Sequence, residues 1–429
     1  MNIMNLADTG DYSSVAERLE SRNNTTNTQI TQVVSDIIDN VIKNGDKALV
    51  EYAKRFDHVE CSKFKLKVTP AEIKEAFSRV SPEYIEIVKA AKDNIKAFHR
   101  KEKEKSWSIK SENGSEFGIR VTPIERVGVY VPAGRKPLPS SVLMNVIPAK
   151  VAGVKEIIMC TPPDRNGKVS DYILVAAKIA GVNKIYKVGG AQAVAAMAYG
   201  TKTIAKVDKI TGPGNAYVAK AKSMVFGKCG IDMIAGPSEI LIIADKSANP
   251  DFVAADMLSQ AEHDPNAASV LITDDVSLVA RVGEALEKQL SALKEPEAAR
   301  ASIENNGMMI VVRDLMQGAD IANIIAPEHL ELCIDDPKAL IPHIRNAGAI
   351  FCGNWSPEPM GDYYCGTNHV LPTLSTARFS SPLGVWDFIK RTSIISYTKE
   401  DFLKDADSVM EFANCEGLEA HAKSVEVRL

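Results

Sequence analysis

The sequence of 429 residues lacks the features that mark secreted, membrane-spanning or disulfide-stabilised proteins. Its seven cysteines are scattered and contain no CxxC pair, which argues against a disulfide framework or a thiolate zinc site and favours a reducing compartment. No apolar run approaches the roughly 20 residues of a membrane span. The polar stretch from Met1 to Tyr12 is unlike a secretory or transit peptide. These absences predict a cytoplasmic protein without a membrane partner.

An excess of positive charge is also missing. The net charge of −4 gives no reason to expect nucleic acid as a partner. The composition, with 45% hydrophobic and 25% charged residues, is ordinary for a globular protein, so a sizeable core is expected. The length suggests roughly two or three domains.

Two stretches of the chain alternate apolar strands with helices. The first runs from Arg126 to Tyr199 and the second from Glu239 to Cys352. Such alternation is typical of βαβ units around a parallel sheet. We therefore predict an α/β fold with two doubly wound, incomplete Rossmann-like lobes with mainly parallel sheets, a helical N-terminal region and a small C-terminal tail domain. The predicted division is a first lobe from 1–120 and 239–380, a second lobe from 121–238, and a tail from 381–429.

Two glycine-rich turns lie between predicted strands and helices. Gly189-Gly-Ala-Gln192 precedes one helix and Gly212-Pro-Gly-Asn215 precedes the next. Both turns are expected to place free backbone amides at helix N-termini, where phosphates bind readily. Neither contains the GxGxxG fingerprint of a standard dinucleotide fold, and an ordinary strand-to-helix turn explains each of them locally.

A predicted helix begins at Asn249-Pro250. It ends with two neutral side chains, Gln260 and His263, whose amide oxygen and imidazole nitrogen could bind a metal. Asp256, Gln260 and His263 fall at i, i+4 and i+7, so they share one face. The C-terminal end of a helix carries partial negative charge and suits a cation. A solvated helix face that ends in an incidental histidine fits the same local pattern.

A carboxylate and an imidazole are adjacent in the segment that follows Pro327. The proline predicts the first turn of a helix. Glu328 and His329 then offer two proton acceptors of different basicity, which suits a reaction with two proton-transfer steps. The alternative is a glutamate favoured by the helix dipole beside an incidental histidine.

Further candidates occur near the C-terminus. Asp362 lies in a glycine-flanked loop and is either a metal ligand or a turn residue, and His369 is either a substrate contact or a surface group. Glu416 and His421 place another carboxylate close to another imidazole. No cysteine stands in a recognisable activating context, so none is assigned a catalytic role.

Taken together, these stretches resemble one family, histidinol dehydrogenase, from about Gln29 to Val427. So many short matches in one order make the resemblance specific. Ala133 departs from the family pattern, which usually has a second glycine after Val-Pro; its methyl group restricts the loop slightly and leaves the chemistry intact. The matching segments are Val129-Tyr-Val-Pro132, Pro139-Ser-Ser-Val-Leu-Met144, Gly189-Gly-Ala-Gln192, Thr211-Gly-Pro-Gly-Asn215, Ala235-Gly-Pro-Ser-Glu239, Ser259-Gln-Ala-Glu-His263, Ala326-Pro-Glu-His-Leu-Glu331, Gly361-Asp362, and Glu416-Gly417 with His421.

The resemblance implies a zinc-dependent homodimer, with one zinc ion per subunit, that uses two NAD+ in succession. Such an enzyme oxidises L-histidinol to L-histidinal and then to L-histidine, the last two steps of histidine biosynthesis. The tail of one chain would complete the site of the other and serve as the dimerisation region. In this scheme His329 takes up the hydroxyl proton of the alcohol and Glu328 deprotonates the water that hydrates the aldehyde.

The resemblance also assigns binding residues. The implied zinc ligands are Gln260, His263, Asp362 and His421, the last from the partner subunit. The implied dinucleotide contacts are Tyr130, Gln192 and Asn215. The implied substrate contacts are Ser238, Gln260, His263, His329, Asp362, His369, Glu416 and His421.

Two other functions remain open from the residues alone. A zinc-dependent hydrolase of a small amino compound also needs a metal and a glutamate base. A non-catalytic two-lobed binding protein would share the fold, although simple capture of a ligand does not require a set of metal-binding residues as elaborate as this one.

Overall fold

A computed structural model of the chain describes residues 1–15, 17–18, 28–62, 64–133 and 137–429. The chain forms two units. The first comprises Met1–Glu102 and Glu125–Phe388, and the second comprises Lys103–Ile124 and Ile389–Leu429. Within the described ranges, no helix has both the length and the apolar character needed to cross a membrane.

The secondary structure of the described residues alternates as expected through most of the first unit. The strands are β1 (Asn2–Asn5), β2 (Trp107–Lys110), β3 (Glu116–Pro123), β4 (Arg126–Tyr130), β5 (Glu156–Thr161), β6 (Lys184–Lys187), β7 (Lys209–Thr211), β8 (Gly230–Ile231), β9 (Glu239–Ala244), β10 (Ala268–Thr273), β11 (Met308–Val311), β12 (His329–Cys333), β13 (Ala349–Cys352) and β14 (Ile389–Ser396). The helices are α1 (Thr28–Asn44), α2 (Asp46–Phe56), α3 (Pro70–Arg79), α4 (Pro82–His99), α5 (Pro139–Ala152), α6 (Asp171–Ala180), α7 (Gly190–Tyr199), α8 (Ala216–Val225), α9 (Pro250–Ala261), α10 (Val276–Ala292), α11 (Glu297–Asn306), α12 (Leu315–Ile325), α13 (Pro337–Leu340), α14 (Glu358–Tyr363), α15 (Lys399–Cys415) and α16 (Glu419–Glu426).

The larger sheet, with its covering helices, is called lobe one. Its strand order is β1-β11-β10-β9-β12-β13, and every neighbouring pair is parallel. Helices α9, α10 and α11 cover one face and α12 covers the other. Because both faces are buried, the central strands are almost continuously apolar, as in Ile240-Leu-Ile-Ile-Ala244.

The smaller parallel sheet forms lobe two. Its order is β6-β5-β4-β7-β8, and its pairs are also parallel. Helices α1, α7 and α8 pack on one face, and α5 and α6 lie on the other. Lobe one has the same strand order, with β1 added at one edge. If its strands are numbered from β9 and those of lobe two from β4, both sheets have the order 3-2-1-4-5. The predicted α/β class with two mainly parallel sheets is confirmed.

Residues 329–333 form a strand, whereas the sequence predicted a helix that begins at Pro327. Ala326 has a left-handed conformation (φ +50°) and ends α12. Strand β12 then begins at His329, with all of its residues buried between β9 and β13. Pro327 therefore follows a helix end. Leu330 and Leu332 face the opposite side of the sheet from His329, which is the period of two that defines a strand.

The second unit contains an antiparallel sheet that the sequence did not predict. Strand β14 pairs with β3, and β3 pairs with β2. Asp401, in the first turn of α15, accepts hydrogen bonds from Ser111 Oγ and, at 2.7 Å, from Asn113 Nδ2. Residues 419–426 of this unit are helical. The lobe boundaries predicted from the sequence stay predictions.

Candidate active site

Backbone groups of β9 position the adjacent Glu328 and His329. Glu328 Oε2 accepts a hydrogen bond from the Glu239 N–H at 2.9 Å, and His329 Nδ1 lies 3.0 Å from the Glu239 carbonyl oxygen. A carbonyl oxygen can only accept, so in this pairing Nδ1 carries the proton and Nε2 is the acceptor of the neutral ring. Both side chains are buried. The sheet therefore presents an imidazole whose tautomer is fixed.

Helix α14 brings two more carboxylates to the same ring. His329 Nε2 lies 3.9 Å from Glu358 Oε1 and 3.8 Å from Asp362 Oδ1, and it has no hydrogen-bond partner among the described residues. One ligand atom from each of these three residues lies within 4.8 Å of the others. His369 Nδ1 lies 3.1 Å from the Asp362 carbonyl oxygen and 3.9 Å from its Oδ2. The side chains of His329, Glu358 and His369 thus gather around Asp362.

These contacts shift the pKa values of the cluster in opposite directions. Burial raises the pKa of Glu328 and that of Glu358 to about 8 each. Burial alone would lower the pKa of His329, but the charges of Glu328, Asp362 and Glu358 outweigh it and raise that pKa to about 10. Burial likewise opposes ionisation of Asp362, yet its contacts with His329 and His369 hold the pKa of this carboxyl below its usual range. Carboxylates outnumber cations here, which favours a bound positive ion.

The predicted helix α9 ends beside this cluster. Ser259 Oγ lies 3.4 Å from Glu358 Oε2. Gln260 is 1% exposed, and its Oε1 has no hydrogen-bond partner in the described part of the chain. His263 is exposed, and its charge contributes, after burial, to lowering the pKa of His369. The structure thus brings the end of α9 close to the cluster.

The loop that carries His369 is anchored on helices elsewhere in the first unit. Asn368 Nδ2 donates to the Met144 carbonyl oxygen at 2.8 Å, and Asn94 Nδ2 donates to the Tyr364 carbonyl oxygen at 2.8 Å. Met144 lies in α5 and Asn94 in α4. These bonds fix the position of the loop and hence of the imidazole.

Three buried carboxylates were assigned no role from the sequence: Glu358, which belongs to the cluster, and Glu239 and Glu331, which lie beside it. Glu331 Oε1 accepts a hydrogen bond from the Glu358 N–H at 2.8 Å, and burial raises the pKa of Glu331 to about 9. The sequence did contain a signal for Glu331, which is an acidic residue within an otherwise apolar strand. Charged groups are rarely buried unless they are paired or functional.

Both predicted glycine-rich turns lie at the carboxyl edge of lobe two, against Tyr130 at the end of β4. The Gly190 N–H donates to Tyr130 Oη at 3.1 Å. Gly212 has φ +116°, and a Cβ atom on it would lie 2.1 Å from the Tyr130 carbonyl oxygen. Gln192 is buried in the first turn of α7. The turns that follow β6 and β7 therefore both contact Tyr130.

Three of the helix amides expected to be free at these turns already have partners. The Gly190 amide is bonded to Tyr130. Asn215 Oδ1 accepts hydrogen bonds from the N–H groups of Tyr217 and Val218, each at 3.1 Å, and so caps α8. The amides of Gly190, Tyr217 and Val218 are therefore already engaged within the protein.

The remaining predicted residues are divided between the units. Ser238 is half-buried directly before β9, and its carbonyl oxygen accepts a hydrogen bond from the Ala268 N–H at 3.1 Å. Glu416 and His421 belong to the second unit, and both are exposed. The buried cluster of the first unit is thus formed without them.

Comparison with known proteins identifies the family. A sequence profile described as histidinol dehydrogenase matches residues 20–429. The chain belongs to the histidinol dehydrogenase family. It is 50% identical over 422 residues to the histidinol dehydrogenase of Syntrophotalea carbinolica, with 98% of each chain covered. It is 50% identical over 412 residues to that of Clostridium acetobutylicum, which covers 96% of this chain and 95% of the relative.

A solved structure agrees with the sequence comparison. The crystal structure of histidinol dehydrogenase from Elizabethkingia anophelis matches with a TM-score of 0.93 and 38% identity, over 100% of this chain and 98% of that chain. The resemblance inferred from short motifs is therefore confirmed. Membership of the histidinol dehydrogenase family makes the chain an oxidoreductase of histidine biosynthesis.

Proposed function

We propose that the protein oxidises L-histidinol through L-histidinal to L-histidine with two NAD in succession, at a site with one zinc ion per subunit. The buried His329 ring supports this function, because Nδ1 is fixed on the Glu239 carbonyl oxygen and Nε2 is left to accept a proton. Oxidation of an alcohol to an acid needs two proton acceptors. Glu328 is the second, adjacent in the chain and held by the Glu239 N–H.

The donor atoms of the first unit fit zinc. We propose Gln260, His263 and Asp362 as ligands, with the partner subunit's His421 as the fourth. The buried Gln260 Oε1, which lacks a partner among the described residues, is the observation that supports a metal here. Mixed amide, imidazole and carboxylate donors suit zinc. A divalent cation on Asp362 would also offset the carboxylates that raise the pKa of His329 to about 10, so the ring would be neutral as a base.

The residues of the chain divide the proton chemistry between them. When bound, zinc would orient the substrate and polarise its carbinol oxygen, and NAD would accept hydride. His329 Nε2 takes the hydroxyl proton of the alcohol. Glu328, whose pKa is raised by burial to about 8, takes a proton from the water that hydrates the aldehyde. Two adjacent bases in one buried site allow both oxidations without release of the aldehyde.

Binding completes the proposal. NAD would lie at the carboxyl edge of lobe two, against Tyr130, Gln192 and Asn215. The seven free cysteines favour a reducing compartment, so we place the enzyme in the cytoplasm. The substrate would contact Ser238, Gln260, His263, His329, Asp362 and His369, together with the partner subunit's Glu416 and the partner subunit's His421.

A homodimer would supply those partner residues. The second unit exposes large apolar side chains, among them Trp107 at 59%, Ile395 at 72% and Phe412 at 71%. Exposed apolar side chains of this size support burial of this surface in a dimer. If the site is shared, a mixture of His421→Asn and Glu328→Gln variants regains activity through hybrid dimers that contain one intact site. The absence of any recovery would argue against a shared site.

The proposed function is tested with purified protein, L-histidinol and NAD. We expect two NADH for each histidinol consumed, and zinc in equal amount to the subunits by atomic emission. A hydrolase would release a product without NADH, and a binding protein would form no product. Zinc-loaded protein that forms no NADH from L-histidinol would overturn the proposal.

A further inference from the structure

A buried ion pair lies behind the glycine-rich turn at Gly212. Lys222, in α8, and Asp232, directly after β8, form this pair, and their side chains are 2% and 0% exposed. Lys222 Nζ donates to the Gly212 carbonyl oxygen at 2.9 Å, and the Gly212 N–H donates to Asp232 Oδ2 at 2.8 Å. Both hydrogen-bonding groups of one glycine are thus held by the two members of one ion pair.

Gly212 stands where such control of the backbone matters. Its φ of +116° disfavours any other residue, and its Cα packs against the backbone of Tyr130. Three residues further on, Asn215 begins α8 as its cap. A rotation at Gly212 would therefore displace both Tyr130 and Asn215, the side chains proposed to receive NAD.

Stability alone does not account for the pair. Removing two charges from water is costly, and apolar side chains of similar volume often hold a fold together as well or better. Apolar side chains cannot, however, offer a donor and an acceptor to one residue of a turn. What Lys222 and Asp232 add is the orientation of Gly212.

We infer that Lys222 and Asp232 are positioning residues for the dinucleotide, which act through Gly212. They hold the turn so that Tyr130 and Asn215 are aligned before NAD arrives. This inference rests on the proposed function. It predicts weaker binding of NAD when either member of the pair is lost, with little change in the handling of histidinol.

The first test uses Lys222→Met and Asp232→Asn in the full-length, zinc-loaded protein. We expect the KM for NAD and the NAD dissociation constant, measured by titration calorimetry, to rise about tenfold or more. The KM for histidinol and kcat at saturating NAD should stay close to wild type. An unchanged dissociation constant in folded variants would overturn the inference.

A double variant separates positioning from stability. Lys222→Met/Asp232→Leu leaves no uncompensated buried charge, so its melting temperature should recover relative to the single variants. Gly212 still lacks its partners, so the NAD dissociation constant should stay high. Recovery of both quantities together would show a merely structural pair.

Glu156→Gln is the matched control. Glu156 pairs with Arg126 at 2.6 Å and with Lys184 at 2.7 Å, at the amino edge of the same sheet. Its loss should lower the melting temperature and leave NAD binding unchanged; weaker NAD binding in this variant would count against a specific role for the pair at Gly212. A wild-type protein that binds NAD but does not oxidise histidinol would instead refute the proposed function and leave the positioning role standing.

Discussion

Apart from the extra strand β1, the two parallel sheets have the same strand order. Their candidate site residues nevertheless lie at opposite edges, at the carboxyl ends of the strands in lobe two and at the amino ends in lobe one. In lobe two the glycine-rich turns and Tyr130 lie at the carboxyl ends of β6, β7 and β4. In lobe one Glu328 and His329 lie at the amino end of β12, bonded to the first residue of β9. Doubly wound sheets normally bind ligands at the carboxyl edge, where the strand order reverses. Lobe two follows that rule and lobe one departs from it.

Aspartates follow three of the strands at the carboxyl edge of lobe one. The carboxyl edge of lobe one carries Asp245 after β9, Asp274 after β10 and Asp335 after β12. Asp245 Oδ2 accepts a hydrogen bond from the Asp335 N–H at 3.0 Å, so one carboxylate also ties the loops together. Burial and the charges of neighbouring aspartates raise the pKa of Asp274. An edge with several aspartates is a poor site for phosphate groups.

The largest expected effect is at the amino edge of lobe one. His329→Asn removes the acceptor nitrogen, so kcat should fall by about 10²–10⁴-fold. The NAD dissociation constant should not change, because the proposed NAD site lies in lobe two. Single-turnover kinetics and titration calorimetry measure the two quantities. A parallel loss of NAD binding would mean that the two edges do not act separately.

A smaller and more selective loss is expected for the neighbouring residue. Glu328→Gln keeps the shape of the side chain but cannot take up a proton. Oxidation of L-histidinal should slow by about 10²-fold, whereas oxidation of L-histidinol should slow much less. Each step is followed separately by supplying the alcohol or the aldehyde with NAD. Equal losses in both steps would exclude a role for Glu328 in activating water.

The backbone of lobe two offers the next test. Gly212→Ala places a methyl group against the Tyr130 carbonyl oxygen at a left-handed φ, so we expect about 2–4 kcal/mol lower stability and weaker NAD binding. Gly227→Ala, in the same lobe, has φ +94° and no atom within 4 Å of the added Cβ. It should cost about 1 kcal/mol from backbone strain alone. Equal urea midpoints for the two variants would show that the close approach to Tyr130 is unimportant.

Local signals were sufficient for most of the fold. The apolar run of β9 and the Asn249-Pro250 start of α9 predict both elements because they satisfy rules that act within a few residues. Strand β12 was missed, because Pro327 suits a helix start as well as a helix end. Only the pairing of β12 between β9 and β13 decides between the two.

Site residues could be predicted from the sequence where they lie in a motif of the family, and not elsewhere. Gln260 and Asp362 were inferred from the family resemblance, and the structure places α9 and α14 in contact. Glu358 lies in no recognised motif. It is found in the cluster only because the fold brings its Oε1 atom to 3.9 Å from His329 Nε2. The amides at Gly190 and α8 were expected to be free because sequence cannot show that Tyr130 and Asn215 occupy them.

The smallest expected effect concerns a carboxyl at the edge of lobe two. Asp57 Oδ1 lies 3.3 Å from the position of a Cβ on Gly189, and Oδ2 is buried without a partner among the described residues. Burial raises the pKa of Asp57 from the usual range of an aspartate to about 7. Near neutral pH a large fraction of this carboxyl is therefore uncharged, so it repels an anion at the turn less than an ordinary aspartate would.

That shift makes stability depend on pH in a defined direction. As the pH rises from about 4 to 7, the unfolded chain releases the Asp57 proton before the folded chain does, so this group lowers the free energy of unfolding through that window and no further above it. Asp57→Asn does not titrate. The difference in unfolding free energy, variant minus wild type, should therefore rise by about 1–2 kcal/mol between pH 4 and 7, less than the full shift because the side chain is partly exposed. Urea titrations across this range measure it. A difference that stays constant with pH would mean that Asp57 is ionised at this edge, and the contrast in charge between the two lobes would then be weaker than the structure indicates.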